Sequence, residues 1–324
     1  LRLAYAAAER GGDDRRRMLV ALRLVFVEAS RRGELAAAEA WGEVAMAVNR
    51  RIATTKVEDA RVEHEIGVIR QAQGRFDEAL ARYERARELL GQAQGDHRTE
   101  LASVHNDTGV TMSSLRRFDD AVEQSRAALS LWQGVLGPLH PQLANAHNNL
   151  GAALYHVQDI DSASEELRAA LKIRVDNFGE LHRDVGRSRI NLGAVHLQRK
   201  EFDLAESELR EARRVLRHTA PDDVLTLASV TQNLGTVLGL QGDHQAALPL
   251  YDEALAARVG ATGPDHIDVA DLHVNRGTSL AALERREEAI DALQEALRIR
   301  SASLGDDHVK TEQVRSDLAK LHSP

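Results

Sequence analysis

The chain has 324 residues, no cysteine, 3% aromatic residues and a formal net charge of −8. The lack of cysteine excludes a disulfide framework and a thiolate metal site. The negative charge and the scarcity of aromatics argue against phosphate-backbone binding and base stacking as the main task, so no nucleic-acid partner is expected. Only five of the 42 basic residues are lysines, and the arginines interleave with acids, as in ELREARRVLR (208–217). That pattern describes a solvated helix face paired at i, i+4 spacing.

In chain order, residues 1–10 read as a helix fragment and Gly11–Asp14 as a polar break, so 1–14 stands apart. The run MLVALRLVFV (18–27) contains Arg23 and is too short to cross a bilayer, so no membrane partner is expected either. Residues 15–32 and 34–51 form a diverged helix pair within 15–56, with Leu35, Ala38 and Ala45 one residue out of step with the regular units after them. Six units of 42 residues then occupy 57–308, at 57–98, 99–140, 141–182, 183–224, 225–266 and 267–308. Residues 309–324 form a capping helix with Ala319 at the place of a recurring glycine. The first residue is leucine and no signal-peptide pattern precedes it, which suggests a segment of a longer, cytoplasmic polypeptide.

The period is carried by small residues. Gly67, Gly109, Gly151, Gly193, Gly235 and Gly277 recur every 42 residues, each in a first helix. The second helices carry Ala79, Ala121, Ala163, Ala205, Ala247 and Ala289, and seven residues later Ala86, Ala128, Ala170, Ala212, Ala254 and Ala296. Seven residues is close to two helical turns, so the two alanines of each unit share a face. A further small series on the first helix is Ala60, Ala102, Ala144, Gly186, Ala228 and Ala270. Small faces on both helices allow tight antiparallel hairpins, and a glycine within a helix, costing roughly 1 kcal/mol against alanine, needs such a packing reason. The expected fold is all-α, an α-solenoid of stacked antiparallel helix pairs.

Leu-Gly in the first helix, Phe-Asp-x-Ala opening the second (Phe76, Phe118, Phe202) and a later Ala-Leu resemble tetratricopeptide repeats. The period of 42 residues, against a usual length of about 34, is similar to the longer kinesin-light-chain variant, as are the strings LGPLHPQLANAHNNLG (136–151), TGPDHIDVADLHVNRG (262–277) and AALPLYDEAL (246–255). The resemblance is strong over about 57–322 and weak over 15–51. It implies a right-handed superhelix whose concave side holds a protein or peptide ligand; self-association is compatible with it.

Signatures of chemistry are lacking. There is no phosphate-binding Gly-Lys-Ser/Thr loop and no Gly-x-Ser-x-Gly elbow. His64-Glu65 lacks the second histidine of a zinc-protease helix, and Asp159–Glu166 lacks the central glycine of a calcium loop. No enzyme activity, metal or cofactor is expected. Gly137-Pro138, Gly179, Gly263-Pro264 and Gly305 read as terminators of the second helices. The histidines after them, His140, His182, His266 and His308, read as structural groups at the start of the next helix. His105, His147 and His273 read as packing residues between helices.

Two residues before each glycine lies a polar ladder: Glu65, Asp107, Asn149, Asn191, Asn233, Asn275, and Asp317 in the last helix. Asparagine is a weak helix former, so four in step call for a cause. By the kinesin-light-chain resemblance, these asparagines contact an extended peptide, to which an amide offers both donor and acceptor. The alternative is a ladder bonding between neighbouring helices or to water. Asp107, Asn145, Asn148, Arg187, Ser229 and Asp271 share that face and complete the candidate peptide-binding residues. The face is amide-rich and lacks the lysines of a carboxylate clamp. Two functions fit: an interaction scaffold, or a regulatory region of a larger signalling protein. The run 20–32, VALRLVFVEASRR, is similar to the segment following the kinase domain in some bacterial serine/threonine kinases, and a nucleotide-switch protein is the other case.

Overall fold

A computed structural model describes residues 1–28, 34–52 and 54–322. The end of the kinase-like run, 29–32, lies outside the described residues. The described residues form sixteen helices and no strand. They are α1 (Arg2–Arg10), α2 (Asp14–Phe26), α3 (Leu35–Arg51), α4 (Lys56–Ala72), α5 (Phe76–Gly91), α6 (Arg98–Ser114), α7 (Phe118–Gln133) and α8 (Pro141–His156). There follow α9 (Ile160–Phe178), α10 (Arg183–Gln198), α11 (Phe202–Thr219), α12 (Val224–Leu240), α13 (His244–Thr262), α14 (Ile267–Ala282), α15 (Arg286–Leu304) and α16 (Val309–His322). The chain divides into two compact units, Leu1–Glu166 and Leu167–Pro324.

Short connections make the two helices of a repeat antiparallel neighbours. Six such turns share one geometry. Gly74, Arg116, Gln158, Lys200, Gly242 and Glu284 all adopt positive φ, between 59° and 89°. The following amide closes a six-residue bond onto the first helix, for example Arg117 N–H to Met112 O at 2.9 Å and Asp243 N–H to Leu238 O at 2.9 Å. This is the Schellman closure that glycine favours. Four of the six positions hold it with a side chain present, so the hairpin packing imposes the conformation there.

The two alanine ladders of the second helices are fully enclosed, each residue showing 0% exposure. The glycines meet the second helix sixteen residues on. A Cβ on Gly193 would lie 2.8 Å from Leu209 Cγ, one on Gly235 2.8 Å from Tyr251, one on Gly277 2.9 Å from Leu293, and one on Gly109 2.9 Å from Ser125 Oγ. In the N-terminal unit, Ala60, Ala79, Tyr83, Ala86, Leu89, Leu90 and Val104 form one such core. In the C-terminal unit, Ala205, Leu209, Ala212 and Leu216 pack with Val230, Leu234 and Val237 of the next first helix. Each core thus spans two repeats, as expected of an array whose units bury their faces on one another.

At the N-terminus, Met18, Ala21 and Leu22 pack with Ala45 and Val48, and with Val62 and Ile66 of α4. Tyr5 sits edge-on to Trp41 at 4.9 Å. Ala38 and Ala45 are fully buried despite their one-residue offset. At the other end Val314 and Leu318 of α16 close the last core.

Helix ends follow the expected signals with one correction. Gly179, Gly263 and Gly305 take positive φ (78°, 87° and 88°) after the long second helices. Gly137 does not terminate its helix: α7 stops at Gln133 and is capped by Gly134 at φ −74°. Gly137 instead stands in the next turn, its carbonyl accepting from His140 N–H at 2.9 Å. The four loop histidines cap the following helices. Each Nδ1 accepts a backbone N–H two residues on, at 3.2 Å, in His140, His182, His266 and His308. His105 bonds Gln124 at 2.7 Å across its hairpin, and His147 bonds Glu166 in the same way.

Gly193→Leu is expected to force α10 from α11 and lower stability by about 1–3 kcal/mol or more through overpacking against Leu209. Thermal and urea unfolding check it; an unchanged midpoint would show that the glycine is no close-packing device.

Candidate functional site

The polar ladder lies on the first helices, and the structure shows what its members touch. In the N-terminal unit it forms a bonded chain over α4, α6 and α8. His64 Nε2 lies 2.8 Å from Asp107 Oδ2. A carboxylate only accepts, so His64 donates. Asn106 Nδ2 donates to Asp107 Oδ1 at 2.9 Å, and Asn149 Nδ2 donates to Asn106 Oδ1 at 2.9 Å. Burial acts to lower the His64 pKa, but the Asp107 hydrogen bond and charge outweigh it and raise it above the ordinary value. Asp107 and Asn149 therefore join neighbouring repeats through the residue before the preceding repeat's ladder position.

In the C-terminal unit Asn191, Asn233 and Asn275 are each half-buried. Asn275 Nδ2 reaches Thr236 Oγ1 at a long 3.5 Å. Asn233 faces a repeat with Ile190 at the bonding position and makes no side-chain hydrogen bond among the described residues. The accompanying residues are engaged within their own unit. Arg187 pairs with Asp223 at 2.7 Å, Ser229 accepts from Arg258 at 2.9 Å, and Asp271 pairs with Arg300 at 2.6 Å.

Arg258 and Arg300 belong to a ladder that sequence reasoning missed. The positions 90, 132, 174, 216, 258 and 300, near the end of each second helix, hold Leu90, Trp132, Arg174, Leu216, Arg258 and Arg300. The three arginines are 6–8% exposed. Each reaches the start of the next first helix ten residues on: Arg174 to Asp184 O at 3.2 Å, Arg258 to the Asp268 carboxylate at 3.0 Å, Arg300 to Lys310 O at 2.8 Å. Burial pulls the Arg174 guanidinium down from its usual value, with Asp184 opposing. The 42-residue register was the signal available for finding them, but in a sequence so rich in exposed arginine it did not stand out.

Leu90 and Trp132 hold the arginine position in the N-terminal unit, and there a cavity of about 900 Å³ opens. It is lined by Arg61, His64, Glu65, Val68, Ser103, Asn106, Asp107 and Asn145 of the ladder face, with Arg23, Phe26, Leu90, Glu100, Trp132 and Gln142 among its walls. Of the expected binding residues it gathers Asp107 and Asn145; Asn148 and Asn149 are not part of its lining. Two polar atoms of its lining residues, Glu65 Oε2 and Trp132 Nε1, are closed to solvent and have no hydrogen-bond partner among the described residues. Burial raises the Glu65 pKa and Asp107 adds to the rise, against the charges of His64 and Arg23. Among the described residues no group of three or more His, Asp or Glu side chains could hold a metal ion, and no helix is long and apolar enough to cross a membrane.

The tetratricopeptide repeat family pattern matches residues 58–133, 114–174, 142–218, 223–302 and 268–323. The chain belongs to the tetratricopeptide repeat family. Similar solved structures include BtubC (BKLC) from P. vanneervenii, at 24% identity and TM-score 0.59, covering 71% of this chain and 92% of that one. Nearly identical TPR-like repeats described as a putative kinesin light chain of Podosopora anserina match at 16% identity and TM-score 0.55, covering 65% of this chain and 99% of theirs. The Rap conjugation gene regulator of the plasmid pLS20, in complex with the Phr* peptide, matches at 17% identity and TM-score 0.55, covering 89% and 83%. These likenesses show a shared tetratricopeptide solenoid fold. No curated protein matches the sequence.

Asn149→Ala should lower stability, because loss of the Asn106 bond, about 0.5–1.5 kcal/mol, exceeds the gain in helix propensity. Asn233→Ala should leave stability unchanged or raise it by about 0.5 kcal/mol. Urea midpoints of the two variants check this, and equal shifts would show that the two rungs play the same part.

Proposed function

We propose that this protein is a non-enzymatic interaction scaffold that binds a peptide segment of a partner protein along the polar face of its first helices. The observation that carries the reading is the cavity in the N-terminal unit, which gathers ladder-face residues of three successive first helices: Arg61, Glu65, Ser103, Asp107 and Asn145. A volume of about 900 Å³ falls in the range of ligand sites, and its mixed lining suits a chain with both backbone amides and side chains. The Rap regulator of plasmid pLS20, with the same fold, holds a peptide, which supports the same use here.

In this reading Asp107 and Asn145 contact ligand directly, while Asn149 holds α8 in place. Asn148 flanks them. The first helices of the C-terminal unit offer a second polar face through Asn191, Asn233 and Asn275. Of these, Asn233 is the readiest to bond a peptide, because it has no partner of its own among the described residues. Arg187, Ser229 and Asp271, already bonded within the unit, contribute to specificity rather than to the main affinity.

The test uses Asn145, which is exposed and lines the cavity. Partners captured by the wild-type chain are identified by mass spectrometry and measured against Asn145→Trp and Asn145→Ala. The bulky variant should lose the partner by about tenfold or more with an unaltered melting temperature, and the small one should retain most of the affinity. A partner held equally by all three chains would place recognition elsewhere.

A further inference from the structure

Within the N-terminal unit, α4 and α6 meet through groups that titrate. His64 of α4 donates from Nε2 to Asp107 Oδ2 of α6 at 2.8 Å, and both side chains are largely covered, at 18% and 28% exposure. Glu65 follows His64 in the chain, close enough to Asp107 to feel its charge. Its Oε2 is closed to solvent and has no hydrogen-bond partner among the described residues. Such an oxygen is costly to charge and far less so as part of a neutral carboxyl. Two acids and one base thus sit together where two repeats join.

The groups that surround the three leave this balance in place. On α4 itself, Arg61 pairs with Glu100 of α6 and Glu63 with Arg82 of α5, each at 2.8 Å. α3 meets α4 through Glu39 on Arg70 and Asn49 on Asp59. α5 brings the Tyr83 ring to 5.6 Å from His64, and burial raises its pKa and keeps the phenol neutral. From α8 comes only the neutral Asn149, bonded through Asn106. α2 pairs Arg15 with Glu58 and brings Arg23, an exposed cation that favours ionised Glu65. Burial and the Asp107 charge outweigh Arg23, so Glu65 holds its proton above the ordinary carboxyl value of 4.5. Burial opposes a charged His64, but the Asp107 bond and charge, with the charge of Glu65, raise its pKa above 6.5.

We infer that His64, Glu65 and Asp107 form a proton-operated clip between α4 and α6, closed in mildly acidic solution and loosened as the pH rises. With His64 charged and Glu65 neutral, the bond to Asp107 is charge-assisted. Loss of the His64 proton leaves a weaker, neutral bond. Loss of the Glu65 proton sets a second covered carboxylate near that of Asp107. Both groups bind their protons more tightly in the folded chain than in the unfolded one. The stability they confer is complete below their ordinary values of 4.5 and 6.5 and is lost as the pH rises through the raised ones. All three residues line the cavity, so the clip sets how firmly that wall is held. It does not depend on what fills the cavity.

Amide hydrogen exchange of the full chain, read by mass spectrometry over α4 and α6, tests this. Wild type and variant are compared at the same pH, so the intrinsic pH dependence of exchange cancels, and α12 and α14 serve as the internal reference. Glu65→Gln keeps the shape of the neutral acid and cannot ionise. It should exchange like the wild type at about pH 5 and up to about tenfold more slowly at about pH 8.5. Asp107→Asn removes the charge that holds the His64 proton. It should speed exchange about tenfold at about pH 5 and far less at about pH 8.5, where His64 has given up its charge. A ratio of wild type to variant that stays the same at both pH values, in either variant, would overturn the inference. The helices would then be held there by packing and neutral hydrogen bonds alone.

Discussion

The close approach of two helices at a glycine is the constraint on which the remaining structure depends. A Cβ at Gly67, Gly193, Gly235 or Gly277 would fall within 3 Å of a tyrosine ring or a leucine branch on the second helix. The fully buried alanines of that helix complete the same contact from the other side. Once the hairpin is this tight, the turn has little freedom. That is why Arg116, Gln158, Lys200 and Glu284 accept a left-handed backbone that glycine would adopt more readily. The core of each hairpin then extends onto the first helix of the next, and stability propagates between nearest neighbours.

On that uniform framework, a few positions differ between repeats. Near the end of the second helices one position alternates between a buried arginine, which ties the next helix by its first residues, and an apolar side chain. Arg174, Arg258 and Arg300 are buried there; Leu90, Trp132 and Leu216 hold the same position, and Leu90 and Trp132 line the cavity. A similar choice separates the rungs of the polar ladder. Asn149 finds Asn106 in the neighbouring repeat, whereas Asn233 finds Ile190 and has no bond among the described residues. Repetition builds the framework, and departures from it distinguish one repeat from the next.

The framework was legible in the sequence because its causes are periodic. Small residues at fixed spacing located the hairpins, and the histidines four times in step after a turn located helix starts. Gly137 misled because Gly134 lies within one turn of it, and either could end a helix; only the packing chooses. The ladder was visible as a pattern, but its role was not. A bond such as Asn106–Asn149 joins residues 43 apart, one step off the period, so it depends on how neighbouring helices are inclined. The cavity was harder still. Nothing in the local sequence around Leu90, Trp132 or Glu65 marks a void, because its walls come from several helices far apart in the chain.

Gly67, Gly109, Gly193, Gly235 and Gly277 each face a side chain of the second helix that leaves no room for a Cβ. A double-mutant cycle on Gly235 and Tyr251, read by urea unfolding, tests this most directly. In the wild-type background Gly235→Ala should destabilise, since the new Cβ meets Tyr251 at 2.8 Å. In a Tyr251→Ala background the same change should become neutral or stabilising, because alanine is the better helix former by roughly 1 kcal/mol. An equal effect of Gly235→Ala in both backgrounds would contradict the account.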